Sequence, residues 1–234
     1  MFGFGFFYYD WTILIVLPAM LFAFWAEHKV KETFKKYSKT RTHSGWTGAQ
    51  AARSLLDANG LYDVDIMMVE RELSDHYNPR DKKLYLSRAV HDSNSASAIG
   101  VACHEAGHAL QDAHAYAPLK IRMGMVPVCN IGSQLAFPLF FIGLLIGELG
   151  WGFMVAGIAC SSLATLFQLV TLPVEFNASR RAMEGMQNCG LLYDSELDDA
   201  RRVLDAAAMT YVAALATSLM SLLRLIIIAN DRRR

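Results

Sequence analysis

Four long stretches that are almost free of charge alternate with polar segments along the chain. They are residues 2–26, 123–147, 149–174 and 206–229, and among these only Asp10 and Arg224 carry a charge. Each stretch exceeds the roughly 20 residues that cross a bilayer as a helix, and such lengths are excessive for core helices of soluble proteins. The pattern predicts a mainly α-helical integral membrane protein with about four transmembrane helices.

The polar segments between these stretches divide the chain further. We expect transmembrane helix 1 over residues 1–26, a polar region over 27–122, a two-helix transmembrane hairpin over 123–174, a polar helical segment over 175–205, a fourth helix that crosses or dips into the membrane over 206–229, and a basic tail over 230–234. The hairpin turns at Glu148 and Gly150. The first stretch lacks a basic leading region and a small-residue cleavage site, so we interpret it as retained rather than cleaved.

The distribution of charge indicates on which side of the membrane each polar segment lies. The formal net charge is zero, yet six basic residues follow the first stretch at once, namely Lys29, Lys31, Lys35, Lys36, Lys39 and Arg41. This asymmetry favours an outside N-terminus and a cytoplasmic segment 27–122. The hairpin then returns the chain to the cytoplasmic side near Glu175, whereas the tail Arg232–Arg234 would lie outside, against the same rule. These lysines set topology and contact anionic lipid, and we expect no nucleic-acid binding.

The region 27–122 carries signals for an α+β domain. Thr47 and Gln50 form a capping box, and Asn59-Gly60 should end the helix that it starts. Residues 64–69 and 84–87 have β-rich composition on either side of a turn at 78–81, which predicts a small antiparallel pair. The second strand could be an edge strand that pairs with a substrate peptide or, equally, part of a structural hairpin. The four cysteines have no paired spacing and predict no disulfide framework.

The segment before the last apolar stretch begins with several acidic residues. Residues 194–199 combine a helix cap with an acidic first turn, so a single long helix should continue from here into the stretch 206–229. We interpret the acidic turn as a solvated helix face and not as a metal site.

The strongest chemical signal is His104-Glu105-Ala106-Gly107-His108. On a helix, positions i and i+4 share a face, so both imidazoles can bind one zinc ion. Glu105 lies beside the metal, where a general base can take a proton from zinc-bound water. Either Ser93 or Ser95 can cap the start of this helix.

A catalytic zinc takes three protein ligands, and two residues compete to be the third. His114 has the spacing of a third histidine, but Gln111 stands where such enzymes turn the chain at a glycine, and a continued helix would rotate His114 about 240° from His108. Glu175 adjoins Pro173 at the end of the third apolar stretch, where a carboxylate needs a partner or a metal. Since the hairpin should return Glu175 to the side of His108, it is the stronger candidate.

Residues 104–108 followed by 175–182 resemble the YugP-like membrane zinc metallopeptidases, and are more distantly similar to the HtpX and CAAX prenyl protease group of gluzincins. The resemblance extends to residues 75–81 and 91–95 and to the order of the spans. It implies one Zn²⁺ ion, a zincin-like domain with the motif on a helix, and Glu175 as the third ligand.

One departure from these relatives concerns the residue that orients a ligand histidine. The relatives carry an aspartate one turn after the ligand glutamate, and this chain has Ser179 there, which offers a neutral hydrogen bond. Asn177 or Asp112 could take the place of the aspartate, and the sequence does not choose between them.

Motif and resemblance together predict a zinc metalloendopeptidase in the cell membrane that cleaves peptides or membrane proteins on the cytoplasmic side. Arg180 and Arg181 are candidates for stabilising the oxyanion, as are His76 and His91, although each has an ordinary structural interpretation. The alternative is a zinc-dependent membrane scaffold or inactive binding protein with a structural metal site. Homo-oligomerisation stays open.

Overall fold

The computed structural model describes residues 11–71 and 74–233. Its helices are α1 Ile13–Tyr37, α2 Gly48–Ala58, α3 Arg88–His91, α4 Ala96–Ala113, α5 Ala117–Leu145, α6 Trp151–Asn188 and α7 Asp194–Arg233, with a 3₁₀ turn at Gly147–Gly150 between α5 and α6. The strands are β1 Asp65–Val69, β2 His76–Asn78 and β3 Lys83–Ser87. The chain forms two compact units. Among the described residues, the membrane unit comprises those within 1–25, 122–170 and 212–234, and the sheet unit comprises those within 26–121 and 171–211.

Four helices, α1, α5, α6 and α7, are long and apolar enough to cross a membrane, as the sequence predicts. At most 28% of the residues in the most apolar window of each helix are buried within the protein. Large apolar side chains such as Phe24, Ile131 and Leu169 are therefore exposed, which suits a lipid environment. The first of these helices begins at Ile13, and residues 1–10 of the predicted span lie outside the described residues.

Close contacts between glycines and between hydroxyl groups hold the membrane unit together. The hairpin turns where the sequence predicts it, and a Cβ at Gly150 would lie 1.8 Å from the carbonyl oxygen of Gly143, so only glycine fits there. Thr165 Oγ1 lies 2.8 Å from Ser218 Oγ, which joins α6 to α7. Small residues and hydroxyl pairs are the usual means of packing helices in lipid.

The sheet unit has an apolar core formed largely by α2, α4 and β3. Leu55 and Leu56 of α2, Ile99 of α4, and Leu84 and Leu86 of β3 are almost completely buried in one cluster. The predicted capping box of α2 is present, and its C-cap is Asn59. Gly60 then adopts a φ of +73°, a conformation that favours glycine.

The sheet corrects two predictions. The strand order is β1-β3-β2, and β1 pairs with β3 in parallel, from Asp65↔Lys83 to Val69↔Ser87. The expected antiparallel pairing of these strands is wrong because a short strand, β2, precedes the turn and takes the antiparallel place beside β3. Of the two interpretations left open for residues 84–87, the edge strand is wrong, since β3 is the central strand and its two neighbours occupy both of its edges.

The acidic start of α7 is only partly solvated, which corrects another expectation. Glu196 is 4% exposed. Its carboxylate accepts hydrogen bonds from the backbone N–H of Tyr193 at 2.9 Å and of His43 at 2.7 Å. This glutamate therefore caps α7 and fixes the loop after α1. The helix itself is continuous from Asp194 to Arg233, as predicted.

The four cysteines are free thiols, in line with the absence of a predicted disulfide framework. Cys103, next to the motif, is fully buried in the apolar core of the sheet unit. Its role is therefore packing, as the sequence indicates.

Candidate metal centre

Local sequence sets the geometry of the first two histidines. Ser95 is the N-cap of α4, and its hydroxyl accepts a hydrogen bond from the Ala98 N–H at 3.3 Å. The helix continues without interruption through both histidines to Ala113. His104 and His108 therefore lie one above the other on the same face, with ring centroids 4.9 Å apart.

A glycine within the motif allows a second helix to approach this face. A Cβ at Gly107 would lie 2.6 Å from the carbonyl oxygen of Ala178 on α6. Any side chain there would push the two helices apart. The close approach brings Glu175, which precedes Ala178 by almost one helical turn, to the two histidines. Helix α6 is continuous through Pro173, so Glu175 lies within a helix and not in a loop.

The imidazoles of His104 and His108 and the carboxylate of Glu175 converge. One ligand atom from each lies within 4.8 Å of the other two. Glu175 Oε2 is 3.2 Å from His104 Nε2 and 3.5 Å from His108 Nε2, and Glu175 is 2% exposed. Two imidazole nitrogens and one carboxylate oxygen suit a zinc ion and leave a fourth tetrahedral position for water. The side chains present therefore fit a catalytic zinc.

Hydrogen bonds on the far side of each ring aim the Nε2 atoms at the centre. His104 Nδ1 lies 3.1 Å from Ser179 Oγ, and His108 Nδ1 lies 2.9 Å from Gln111 Oε1. Gln111 uses its Nε2 group to donate to Val174 O at 2.7 Å and to Asn177 Oδ1 at 3.0 Å, so its oxygen faces His108. His108 Nδ1 then carries the proton, and the lone pair on Nε2 is free to bind a metal.

Electrostatics add to the attraction for a cation. Burial disfavours the charged form of His108, but the carboxylates of Glu175 and Glu105 outweigh this effect and raise the pKa of the imidazole. Burial also raises the pKa of Glu105, although the two imidazoles oppose this. Two carboxylates in a largely buried site create a negative potential that a divalent cation relieves.

The edge strand β2 contacts Glu105, the carboxylate of the motif. The backbone N–H of Tyr77 donates to Glu105 Oε2 at 3.2 Å. The phenol of Tyr77 donates to Asp112 Oδ2 at 3.0 Å, and burial together with this carboxylate raises the pKa of Tyr77. Asp112 therefore fixes the strand to α4, and its hydrogen bond goes to Tyr77. Asn177 reaches His108 only through Gln111, so Ser179 occupies the orienting position beside His104.

Several residues that the sequence proposes do not join the centre. His114 caps the C-terminus of α4, and its Nδ1 bonds to Leu110 O at 2.6 Å. Arg180 faces Glu184 at the surface and Arg181 donates to Asn177, while His76 bonds to Ser74 O and His91 to Asp92. Within the part of the chain that the structure describes, none of these side chains lines the cavity beside His104.

A cavity of about 580 Å³ lies beside the centre and is lined in part by His104, Glu105 and Glu175. Sequence reasoning did not find this cavity, nor the role of Gln111 or of Tyr77. A signal for Gln111 existed, because it follows His108 by three residues and therefore lies on the same face of the metal helix. Tyr77 gave no such signal, since its contact with Glu105 joins residues that are distant in sequence.

Comparison with known proteins supports the zinc chemistry that the geometry indicates. Residues 12–230 match the model of a family described as "Putative neutral zinc metallopeptidase". The chain is 46% identical over 221 residues to the "Putative membrane protease YugP" of Bacillus subtilis (strain 168), and this match covers 94% of the chain and 97% of the relative. No solved structure matches the chain.

Proposed function

The chain belongs to the neutral zinc metallopeptidase family, and from this premise we propose that it is a membrane endopeptidase whose centre consists of His104, His108 and Glu175 and lies on the cytoplasmic side. The protein is a zinc-dependent peptidase of the membrane, and its substrates are peptides. The choice of ligands, the internal position of the cleaved bond and the side of the membrane are the new elements of the proposal.

One observation carries the assignment of the centre. Three ligand atoms from two helices converge within 4.8 Å, and Glu105 follows the first ligand directly on the same helix. A general base has to lie near the metal without binding it, and Glu105 is absent from the converging group.

Bound zinc supplies a Lewis acid that polarises the scissile carbonyl and lowers the pKa of water. Glu105 accepts one proton from the attacking water, whose oxygen forms a bond to the carbonyl carbon. As the C–N bond breaks, Glu105 returns this proton to the leaving amine, so the carboxylate is regenerated. Tyr77 N–H keeps one oxygen of Glu105 in place during both transfers. Ser179 and Gln111 keep the two imidazoles aligned.

The charges in the cavity favour cleavage within a chain over removal of a terminal residue. An exopeptidase needs a charged group to hold the substrate's terminal ammonium or carboxylate. Here Glu27 pairs with Lys31, and Asp75 accepts hydrogen bonds from the N–H and hydroxyl of Ser87. Since Glu27 and Lys31 neutralise each other and the Asp75 carboxylate already accepts hydrogen bonds from Ser87, these groups support a polypeptide substrate without nearby termini.

A structural zinc site in a scaffold is the competing function. Such sites normally fill all four coordination positions with protein groups. Among the described residues, the converging group has three members, and His114 bonds elsewhere. The donor set therefore favours catalysis.

Hydrolysis of blocked peptides by the full-length protein in lipid vesicles tests the proposal. Peptides that are acetylated at the N-terminus and amidated at the C-terminus should be cut internally, as mass spectrometry of the products would reveal. Glu105→Gln should lower the rate by at least about 10²-fold, the scale of a lost general base, while the zinc content stays unchanged. Equal rates in both proteins with zinc bound would refute the peptidase mechanism. Cleavage that requires a free terminus would refute the endopeptidase assignment.

The side of the membrane has its own test. The basic residues 29–41 follow the first apolar stretch, which supports a cytoplasmic sheet unit. Tyr62 is 75% exposed, so Tyr62→Cys offers a reactive thiol on this unit. A membrane-impermeant maleimide should label it in inverted vesicles and not in intact cells. Labelling in intact cells would reverse the proposed orientation.

A further inference from the structure

The cavity beside the metal centre lies entirely within the sheet unit and has mostly apolar walls. Helix α7 contributes Leu204, Ala207, Ala208 and Tyr211, which are spaced i, i+3, i+4 and i+7 and lie on one face of the helix, together with the neighbouring Val203. Val101 of α4 also lines it, three residues before His104 and therefore on the same helix face as this ligand. The apolar wall and the reacting centre are thus continuous.

The apolar wall has little exposure to solvent, whereas one ion pair of the lining is exposed. Val203 is 1% exposed and Ala208 is 7% exposed. The side chains of Glu27 and Lys31, which also line the cavity, are 60% and 58% exposed and form an ion pair with each other. Away from the reacting centre, the charged groups of the lining are therefore this mutually neutralised pair and Asp75, whose carboxylate accepts hydrogen bonds from Ser87. The part of a ligand that lies against the apolar wall has to be apolar, because an unpaired polar group would lose its hydration there without compensation.

The size of the cavity exceeds what a zinc-bound water needs. Its volume of about 580 Å³ falls within the range of about 300–1,000 Å³ that is typical of pockets for organic ligands. There is room for one large side chain and the adjoining backbone of a substrate. The small side chains of Ala207 and Ala208 leave this space open, and longer ones on the same helix face would fill it.

We propose that this cavity is the specificity pocket of the enzyme and that it takes a large apolar side chain, such as Leu or Phe, from one of the two residues that flank the cleaved bond. The inference rests on the proposed peptidase function and adds the class of substrate. Binding of this side chain positions the scissile carbonyl beside His104 and Glu105, because the same cavity contacts both. Val203 and Ala207 determine which side chains fit.

A series of blocked peptides that differ at one position tests the preference. The position flanking the cut carries Gly, Ala, Leu, Phe or Asp, and the full-length protein in vesicles is the enzyme. We expect kcat/KM for Leu or Phe to exceed that for Gly and Asp by at least tenfold, since each methylene group in an apolar pocket contributes roughly 10- to 200-fold in discrimination. Equal rates across the series at both flanking positions would overturn the inference.

Two variants change the pocket in opposite directions. Ala207→Leu should fill it, lowering kcat/KM for the Phe peptide at least tenfold while that for the Ala peptide stays within about threefold. Val203→Ala should enlarge it and shift the preference from Leu towards Phe. Ala206→Leu is the matched control, because Ala206 lies on α7 and is 8% exposed but does not line the cavity.

The outcomes separate this inference from the proposed function. If wild-type protein with bound zinc cleaves no peptide, the peptidase assignment fails and the pocket has no substrate. If cleavage depends on Glu105 but neither Ala207→Leu nor Val203→Ala alters the preference, the pocket assignment alone fails. Should Ala207→Leu lose its zinc through misfolding, the preference of Val203→Ala decides the question by itself.

Discussion

The proposed metal centre has two halves that the chain provides in different ways. The α4 half consists of His104, Glu105 and His108, which lie within five consecutive residues of one helix. The α6 half consists of Glu175 and Ser179, which reach the centre only because α6 packs against α4. Helical periodicity alone aligns the first half, whereas tertiary structure supplies the second. The centre therefore forms fully only when the sheet unit is folded.

Two residues of α4 that are not proposed ligands, Gly107 and Gln111, also connect the halves. The backbone of Ala178 packs against Gly107, which leaves no room for a Cβ. Gln111 bonds to His108 on its own helix and to Val174 O on α6. Changes at these positions should affect zinc binding even though neither residue is a proposed ligand.

The largest effect is expected from removing a ligand from either half. Glu175→Ala and His108→Ala should each lower bound zinc to less than about a tenth of an ion per chain and reduce peptidase activity by at least about 10³-fold, as for other essential catalytic groups. Zinc content by mass spectrometry and hydrolysis rates check this. Glu184→Ala is the control, because this glutamate of α6 is exposed and pairs with Arg180 at the surface. If His108→Ala lost zinc and Glu175→Ala retained it, the α6 half would not be needed for zinc binding.

A smaller effect is expected from separating the halves without touching a ligand. Gly107→Ala places a Cβ 2.6 Å from Ala178 O, which should destabilise the fold by about 1–3 kcal/mol and weaken zinc binding. Thermal unfolding and competition with a chelator measure the two quantities. In Gly124→Ala the added Cβ meets nothing within 4 Å among the described residues, so stability should stay the same or rise slightly. Equal behaviour of the two variants would contradict the close approach of α4 and α6.

Removing the hydrogen bonds to the Nδ1 atoms of the two histidines should weaken zinc binding less than separating the two helices. Gln111→Leu should weaken zinc binding by about 10- to 100-fold, the usual range for groups that orient a metal-binding histidine. Ser179→Ala should weaken it by less than about tenfold, because Ser179 supports His104 alone and Gln111 also links the helices. Chelator titration gives both affinities, and the reverse ranking would contradict the bridging role of Gln111.

The smallest effect is expected at the alternative ligand. His114→Ala should leave zinc affinity and activity within about twofold of the wild-type values, because His114 bonds to Leu110 O and caps α4. A tenfold loss of zinc affinity would show that His114, and not Glu175, is the third zinc ligand.

These two halves also explain what the sequence could predict. The placement of His104 and His108 on one helix follows from a spacing of four residues, and the apolar stretches indicated all four candidate spans. Glu175 was proposed from the cost of a carboxylate at the end of a span and from a family resemblance, and it converges with the histidines. Local periodicity and membrane energetics are properties of short segments, so a single sequence reveals them.

Contacts between residues that are distant in sequence could not be predicted from the properties of short segments. The parallel pairing of β1 with β3 depends on β2, a strand of only three residues that no periodicity identifies. The burial of Glu196 depends on His43, which is distant in sequence. Gln111 and Tyr77 act through partners on other elements, and composition does not indicate such partners.

X-ray absorption at the zinc edge tests the split centre most directly. Multiple scattering from imidazole rings counts the histidine ligands, and the wild-type spectrum should fit two imidazole nitrogens at about 2.0–2.1 Å together with oxygen ligands at about 2.0–2.2 Å. We expect two imidazole ligands and one oxygen ligand from Glu175. Three imidazoles would contradict it, because the third ligand would then be a histidine and the centre would not be completed by α6.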